Sequence, residues 1–291
     1  MKCLFKNLLA ILSLFSILSC TPSLKDKVES AKNFSRKNGF VEGLVRGNEF
    51  LLTTYQKITD KQSPFVFYIE SDGSVYDKYG ALSKDPTPKD QLLLKLACLD
   101  NRPNVVYIAR PCQYTPPELN PKCSSPIYWT GRRMSEEVVS SINEVIKTIN
   151  PKKPFSLVGY SGGGGIAVML AARNEHTRDV LTIAGNLDIV SFNKYHDERI
   201  MSKLLNPQDH VGLTMDGSLN PVDYAQNIRK IPQLHLSGAG DKIVPSIITL
   251  KYIEASNSTC VHQKIIPEAS HDLGWKKIWP EILAIPIKCD P

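Results

Sequence analysis

A serine lies at the end of an apolar segment, with glycines on both sides of it. Residues 155–164 read FSLVGYSGGG, which contains the pattern G-x-S-x-G with Ser161 at its centre. Small neighbours let chain segments pass close to a sharp strand-to-helix turn, and such a turn lifts the serine hydroxyl above a sheet. The Gly162 amide then lies at the start of a helix, where it can stabilise an oxyanion. The pattern therefore indicates a nucleophile at Ser161.

Two other interpretations of the glycine-rich turn need testing against the sequence. A phosphate-binding loop requires Lys-Ser or Lys-Thr after its last glycine, whereas Ile166-Ala167 follows here. A purely structural turn remains possible until partner residues are considered, because glycine and serine are common.

A nucleophilic serine needs a base, and the base needs a carboxylate that orients it. Asp241 follows the apolar segment IPQLHLSGAG, and His271 follows the segment CVHQKIIPEA. Both residues thus come directly after strand-like segments, in the chain order serine, acid, histidine. This order favours a Ser161–His271–Asp241 triad over a structural turn.

The elements around these residues predict an α/β fold. Continuous apolar segments alternate with amphipathic helical patterns, which indicates a mostly parallel sheet with helices on both faces. Ligands in such sheets bind at the carboxyl ends of the strands. We expect one domain over residues 39–291, with a polar, irregular insertion at about 186–230 that is long enough to act as a lid.

Residues 40–289 resemble the α/β-hydrolase family in three segments: GYSGG, SGAGD and SHDLGW. The resemblance implies that Ser161 is the nucleophile, that His271 is general base and then acid, and that Asp241 orients it. Asp188 also follows a strand and is an alternative acid. Asp241 is favoured because the acid of this family usually lies near the histidine turn.

The segment YIESDG, residues 68–73, stands where the family often has a His-Gly-x-Gly turn. The resemblance implies that a backbone amide in this segment is the second oxyanion donor, either Asp72 or its neighbour Ser71. The sequence departs from the family here, because Glu70-Ser71 replaces His-Gly. The segments YIESDG, ARPCQY and GSLNP also resemble a poorly characterised group of bacterial exported hydrolases.

Several other polar residues near the expected site have a structural interpretation beside a functional one. Asp272 follows the histidine, and we expect it to bind backbone or solvent. Arg110 ends a strand, where it could hold a substrate carboxylate, although a structural ion pair is favoured. His196 and His210 lie in the insertion, and no spacing of Cys, His or carboxylate residues indicates a metal.

The N-terminus is typical of an exported protein. Lys2 and Lys6 precede an apolar segment at 8–18 that is too short to span a membrane. The segment ends Ile-Leu-Ser-Cys, which resembles a bacterial lipobox and implies a signal peptide at 1–19 and a lipidated Cys20 on a polar tether at 20–38. Thr21, where sorted lipoproteins of the inner membrane have Asp, favours the outer membrane. The alternative is a cleaved signal peptide with an incidental Cys20.

Export makes disulfides possible among the five remaining cysteines. Cys112 and Cys123 flank the proline-rich loop CQYTPPELNPKC and are the favoured local pair. Cys260 and Cys289 could tie the last strand to the C-terminus, which would leave Cys98 unpaired. Sequence alone does not determine the connectivity.

Composition and charge narrow the function classes. The chain is 42% hydrophobic and 22% charged, as in ordinary globular proteins, and its formal charge of +6 falls to +4 without Lys2 and Lys6. The sequence contains no basic stripe interleaved with aromatic residues, which is the pattern that would indicate nucleic-acid binding.

We predict a serine hydrolase that cleaves an ester, thioester or amide of a small-molecule or lipid acyl substrate without metal or cofactor. The alternatives are an acyltransferase or peptidase with the same triad, and an inactive hydrolase-like lipoprotein that binds a partner. The oligomeric state is not predicted.

Overall fold

A computed structural model describes residues 22–77, 80–150, 152–201 and 217–291, with backbone only for 198–201. Eight strands, β1 to β8, form one sheet in the order β1-β2-β4-β3-β5-β6-β7-β8. Only β2 runs antiparallel to its neighbours, and all other pairs are parallel. The strands are Val41–Arg46, Leu51–Ile58, Phe65–Ile69, Asn104–Ile108, Phe155–Tyr160, Thr177–Ile183, Gln233–Gly238 and Val261–Ile266.

Helices cover both faces of the sheet, so the predicted fold class is confirmed. The α-helices, α1 to α7, are Leu24–Lys37, Leu92–Cys98, Glu136–Ile149, Gly162–Ala171, Ile189–Met201, Ser246–Ser256 and Trp275–Leu283. Side chains of α3 and α4 pack in one hydrophobic core, and those of α1, α2 and α7 pack in a second. Successive strand residues point to opposite faces, so Phe67 joins the first core and Tyr68 the second.

Most of the segment predicted to be a tether, residues 20–38, forms helix α1. The tether prediction is wrong for Leu24–Lys37, because these residues form a capped helix packed against the second core. Ala31 is fully buried, and the Lys27 Nζ lies 2.7 Å from Asp85 Oδ2 and donates to the carbonyl of Thr87. The lysine-rich composition hid this helix, since Lys27 is buried and paired instead of solvated. The lipidated Cys20 and the signal peptide lie outside the described residues.

The predicted insertion contains helix α5 and a short 3-10 turn at Pro221–Tyr224. Residues 202–216, which include His210, lie outside the described residues. The two ends of the insertion are tied together, because Asn220 accepts a hydrogen bond from the Ile189 amide and donates one to Asp188. The role of residues 186–230 as a lid stays a prediction.

Both favoured cysteine pairs are bonded. Cys112–Cys123 closes the proline-rich loop, and Cys260–Cys289 joins the start of β8 to the C-terminal segment. Cys98 is the free cysteine among the described residues. Burial raises the pKa of its thiol to about 12, so Cys98 is protonated at neutral pH and a poor nucleophile.

A buried histidine makes the stability of the fold depend on pH. His235 on β7 is fully buried, its Nδ1 lies 2.8 Å from Thr182 Oγ1, and burial lowers its pKa to about 3. The folded protein keeps this ring neutral, whereas the unfolded chain protonates it below about pH 6.5. The contribution of neutral His235 to the free energy of unfolding is therefore complete above about pH 6.5 and is lost progressively as the pH falls towards 3. We expect His235 to lower the free energy of unfolding by about 2 kcal/mol between about pH 7.5 and pH 5.

Urea unfolding of the wild type and His235→Asn at both pH values tests this expectation. The variant should lose about 2 kcal/mol less than the wild type over the interval, whatever its absolute stability. An equal loss in the two proteins would contradict a neutral buried His235.

Candidate active site

Ser161 occupies a strained turn between β5 and α4. Its backbone has φ 52° and ψ −121°, a conformation that a non-glycine residue rarely adopts. The turn is held by backbone hydrogen bonds, since the Ser161 amide donates to Ile183 and its carbonyl accepts from Gly164 and Asn186, each at 2.9 Å. Such strain persists only where surrounding contacts determine it. The sharp strand-to-helix turn predicted from the sequence is therefore present in the structure.

The glycines after Ser161 allow other backbone and side-chain atoms to come close. A Cβ added to Gly163 would lie 2.1 Å from the Ile69 carbonyl oxygen, and one added to Gly162 would lie 2.2 Å from Asp72 Oδ1. The first contact brings the end of β3 against the start of α4. The second places the Asp72 carboxylate beside the residue that follows Ser161.

Replacing Gly163 by alanine should destabilise the fold by about 1–3 kcal/mol, because the methyl group would overlap strand backbone that cannot easily move. Gly240→Ala is the matched control, since a Cβ there would make an ordinary contact of 3.4 Å with Ala269. Urea unfolding compares the two. Equal stability of both variants would show that the end of β3 can move away from α4.

His271 and Asp241 meet Ser161 at the carboxyl ends of the strands. His271 Nε2 lies 3.1 Å from Ser161 Oγ, and His271 Nδ1 lies 2.9 Å from Asp241 Oδ2. The Asp241 side chain is fully buried, and its Oδ1 accepts the amides of Ile243 and Val244 at 2.8 Å each. With one oxygen fixed by backbone, the other is aimed at the imidazole. The three side chains form one chain of hydrogen bonds.

Asp188, the alternative acid, has a different role in the structure. Its Oδ1 accepts the Ser191 amide and the Asn220 side-chain amide, each at 3.2 Å. These contacts join the two ends of the insertion at the start of α5. The carboxylate that contacts His271 is that of Asp241.

The two amides expected to bind an oxyanion have no competing acceptor. The Ser71 amide donates to Glu70 Oε1 at 2.7 Å, so it is already used. The amides of Asp72 and Gly162 donate to no group among the described residues, and the first amides of a helix have no partner within that helix. Of the two neighbours in the segment YIESDG, Asp72 is the one with a free N–H.

Two buried arginines bind the Asp72 carboxylate. Arg110 Nη1 lies 3.1 Å from Asp72 Oδ1, and Arg133 Nε lies 3.2 Å from Oδ2. Arg110 also donates through Nη2 to the carbonyl oxygen of Arg133. The favoured interpretation of Arg110 as part of an ion pair is confirmed. The pair of cations offsets a negative charge that would otherwise oppose an oxyanion at the neighbouring amides.

Solved structures with the same architecture include esterases, a peptidase and another hydrolase. An esterase of Pyrococcus furiosus superposes with a TM-score of 0.58 at 13% identity, over 85% of this chain and 89% of that chain. The 2,6-dihydroxy-pseudo-oxynicotine hydrolase matches with a TM-score of 0.58 at 16% identity, over 89% of this chain and 71% of its own. An acylaminoacyl peptidase of Pyrococcus horikoshii matches with a TM-score of 0.57 at 15% identity, over 89% of this chain but 44% of the peptidase.

The protein has the α/β-hydrolase fold. Neither a family model nor a curated protein matches the sequence. At identities of 13–16% the structural likeness establishes the fold and leaves the activity to the residues of the site.

The candidate site contains charged residues that the sequence does not single out. Arg133 lies in an irregular loop before α3, where no periodic pattern draws attention to it. In the sequence, Glu70 differs from the histidine of the family's His-Gly-x-Gly turn, and no pattern there indicates a role for its carboxylate. Its buried carboxylate accepts from the Ser71 amide and from Tyr107 Oη, and burial raises its pKa. Burial lowers the pKa of Arg110.

The remaining candidates lie away from the triad or bind protein groups. His196 Nε2 lies 2.8 Å from the Ile243 carbonyl oxygen. Asp272 is exposed to solvent, as expected, and it also accepts a hydrogen bond from Tyr160 Oη. Cys112 is bonded to Cys123 and is no nucleophile. No group of three His, Cys, Asp or Glu side chains suited to a metal occurs in the described part of the chain. The same part contains no helix long and apolar enough to cross a membrane.

Proposed function

We propose that this protein is a serine hydrolase that cleaves an ester, thioester or amide through an acyl-enzyme on Ser161. The observation that carries the proposal is the hydrogen-bonded chain from Ser161 Oγ through His271 to Asp241. A serine in a strained turn, a histidine within reach of its hydroxyl and a buried carboxylate behind that histidine are the three parts of an activated nucleophile.

In the first half of the reaction, Ser161 Oγ attacks the substrate carbonyl and His271 Nε2 takes the hydroxyl proton. Asp241 stabilises the resulting imidazolium and keeps Nδ1 as the protonated donor. The amides of Gly162 and Asp72 bind the oxyanion, and one such donor is typically worth about 3–4 kcal/mol. His271 then gives its proton to the leaving alcohol, thiol or amine as the carbon–heteroatom bond breaks.

In the second half, water replaces the leaving group. His271 Nε2 takes a proton from the water, whose oxygen attacks the acyl carbonyl. The same two amides hold the second oxyanion, and Ser161 leaves with the proton returned by His271. The proposed cycle uses protein side chains, two backbone amides and water, and we propose no metal or cofactor for it.

Hydrolysis of p-nitrophenyl acetate, p-nitrophenyl butyrate and a peptide p-nitroanilide tests the proposal. We expect the wild type to release p-nitrophenol and Ser161→Ala to be at the buffer rate. Esterase activity is favoured because structural neighbours include esterases, whereas the peptidase neighbour keeps amide cleavage as an alternative. Release of product by a folded Ser161→Ala at the wild-type rate would contradict the acyl-Ser161 route.

An acyltransferase would use the same triad with an alcohol in place of water. Adding glycerol or methanol to the assay distinguishes the two, because a transferase forms the new ester in preference to the free acid. We expect the free acid to be the main product.

Lipidation at Cys20 and an outer-membrane location are a second part of the proposal, supported by the sequence alone. The full chain expressed in bacteria should incorporate an alkyne fatty acid and partition into detergent. Cys20→Ala should do neither, while Cys3→Ala, which alters only the leader, should behave like the wild type. Equal incorporation by Cys20→Ala would contradict the lipobox.

A further inference from the structure

Tyr160, the residue before the nucleophile, reaches the turn that carries the base. Its hydroxyl donates to Asp272 Oδ1 and lies 3.2 Å from the carbonyl oxygen of His271. Tyr160 is the last residue of β5, so its backbone is part of the central sheet. The contact therefore joins the histidine turn directly to the strand that positions Ser161.

The same histidine carbonyl has a second donor. Trp275 Nε1 at the start of α7 lies 2.8 Å from the His271 carbonyl oxygen and 2.9 Å from that of Ser270. The Trp275 side chain is fully buried in the second core. The backbone of His271 is thus held from the sheet by Tyr160 and from the last helix by Trp275.

The Tyr160 ring also lies beside the imidazole. The two ring centroids are 5.3 Å apart with an interplanar angle of 37°. Tyr160 is 5% exposed, so it is packed in a fixed position, and burial together with Asp272 raises the pKa of its hydroxyl. The hydroxyl consequently stays protonated and acts as the donor to Asp272.

We propose that Tyr160 is a positioning residue for His271, acting through its hydrogen bond to Asp272 and its ring contact with the imidazole. The inference rests on the proposed hydrolase function, because the position it sets is that of the proposed base. Asp272, expected from sequence to bind backbone or solvent, is exposed in the structure and is also the acceptor for the Tyr160 hydroxyl.

The position of the His271 ring matters because the ring takes part in two successive proton transfers. His271 Nε2 must accept a proton from Ser161 and then deliver it to a leaving group nearby, so small displacements of the ring slow both steps. Asp241 fixes only the Nδ1 side of the ring. A packed neighbour and a second tether on the backbone limit the remaining rotation.

Tyr160→Phe tests the inference, because it removes the hydroxyl and keeps the ring. We expect kcat for p-nitrophenyl butyrate to fall about tenfold or more with little change in KM, as for loss of a hydrogen bond to a charged group. Asp272→Ala, which removes the acceptor of the Tyr160 hydroxyl, should cause a similar loss. The double variant should be no slower than the worse single variant, because both changes break one interaction.

Tyr252→Phe is the matched control. Its buried hydroxyl donates to Gln233 at 2.9 Å in a part of the core that does not contact His271. Tyr252→Phe should lower the free energy of unfolding, measured in urea, by about as much as Tyr160→Phe does, and should keep the wild-type kcat. A fall in kcat for Tyr252→Phe equal to that for Tyr160→Phe would show a general effect of stability and overturn the inference, as would an unchanged kcat in Tyr160→Phe.

A second readout does not depend on turnover. The downfield proton NMR signal of His271 Nδ1–H, bonded to Asp241, should be sharp in the wild type and broadened by exchange in Tyr160→Phe. A wild type with a sharp signal but no esterase activity would contradict the proposed function. Broadening of the same signal in Tyr160→Phe would then still support the positioning role. A signal equally sharp in both proteins would overturn the positioning role.

Discussion

Replacing His271 by alanine is expected to lower kcat for ester hydrolysis by about 10⁶-fold while leaving the fold intact. Among the described residues, the ring is the one group that makes a hydrogen bond with the Ser161 hydroxyl, with Nε2 at 3.1 Å from Oγ. Without it, the serine is a neutral alcohol and a weak nucleophile. Steady-state assays of p-nitrophenyl butyrate, with circular dichroism to check folding, measure the effect.

Non-additivity provides the control for this prediction. Ser161→Ala and the double variant Ser161→Ala/His271→Ala should be about as slow as His271→Ala alone, because the residues act as one unit. A His271→Ala protein that keeps more than about a hundredth of the wild-type kcat would show that another group removes the proton.

Asp241→Asn should lower kcat by about 10⁴-fold, through the wrong imidazole tautomer and the loss of a charge beside the imidazolium. Asp188→Asn is the matched control, because Asp188 holds the ends of the insertion and not His271. It should stay within a few fold of the wild type. The comparison also tests the choice between two acids that each follow a strand.

The reverse pattern, with Asp188→Asn inactive and Asp241→Asn active, would contradict the triad. We expect Asp241→Asn to keep its loop in place, because the side-chain oxygen of Asn can still accept the amides of Ile243 and Val244. Thermal unfolding of both variants separates a loss of rate from a loss of structure.

The sheet and the contacts among Ser161, His271 and Asp241 could be predicted from sequence because each leaves a local signal. Buried parallel strands are typically apolar segments, and β3, β4 and β5 match such segments most closely, whereas β8 reads VHQKII and is partly exposed. Ser161 is marked by its glycines, while Asp241 and His271 are marked by their places after strands. Parallel strands bring their carboxyl ends to one edge, so residues distant in sequence meet there.

Other features depend on contacts that no local pattern records. Helix α1 is polar overall, and its packing rests on a few residues at helical spacing and on the pairing of Lys27 with Asp85. Arg133 approaches Asp72 from a loop without regular structure. The link between Tyr160 and Asp272 joins residues 112 positions apart. These interactions follow from the assembled fold, so sequence reasoning about single segments misses them.

Labelling of the full chain with a fluorophosphonate, followed by mass spectrometry of its peptides, tests the central claim most directly. The reagent forms a stable bond only with an activated serine hydroxyl. We predict one adduct per chain, on Ser161, and none on folded Ser161→Ala or His271→Ala. A folded wild type that stays unlabelled with and without detergent, or that carries the adduct on another serine, would contradict the account.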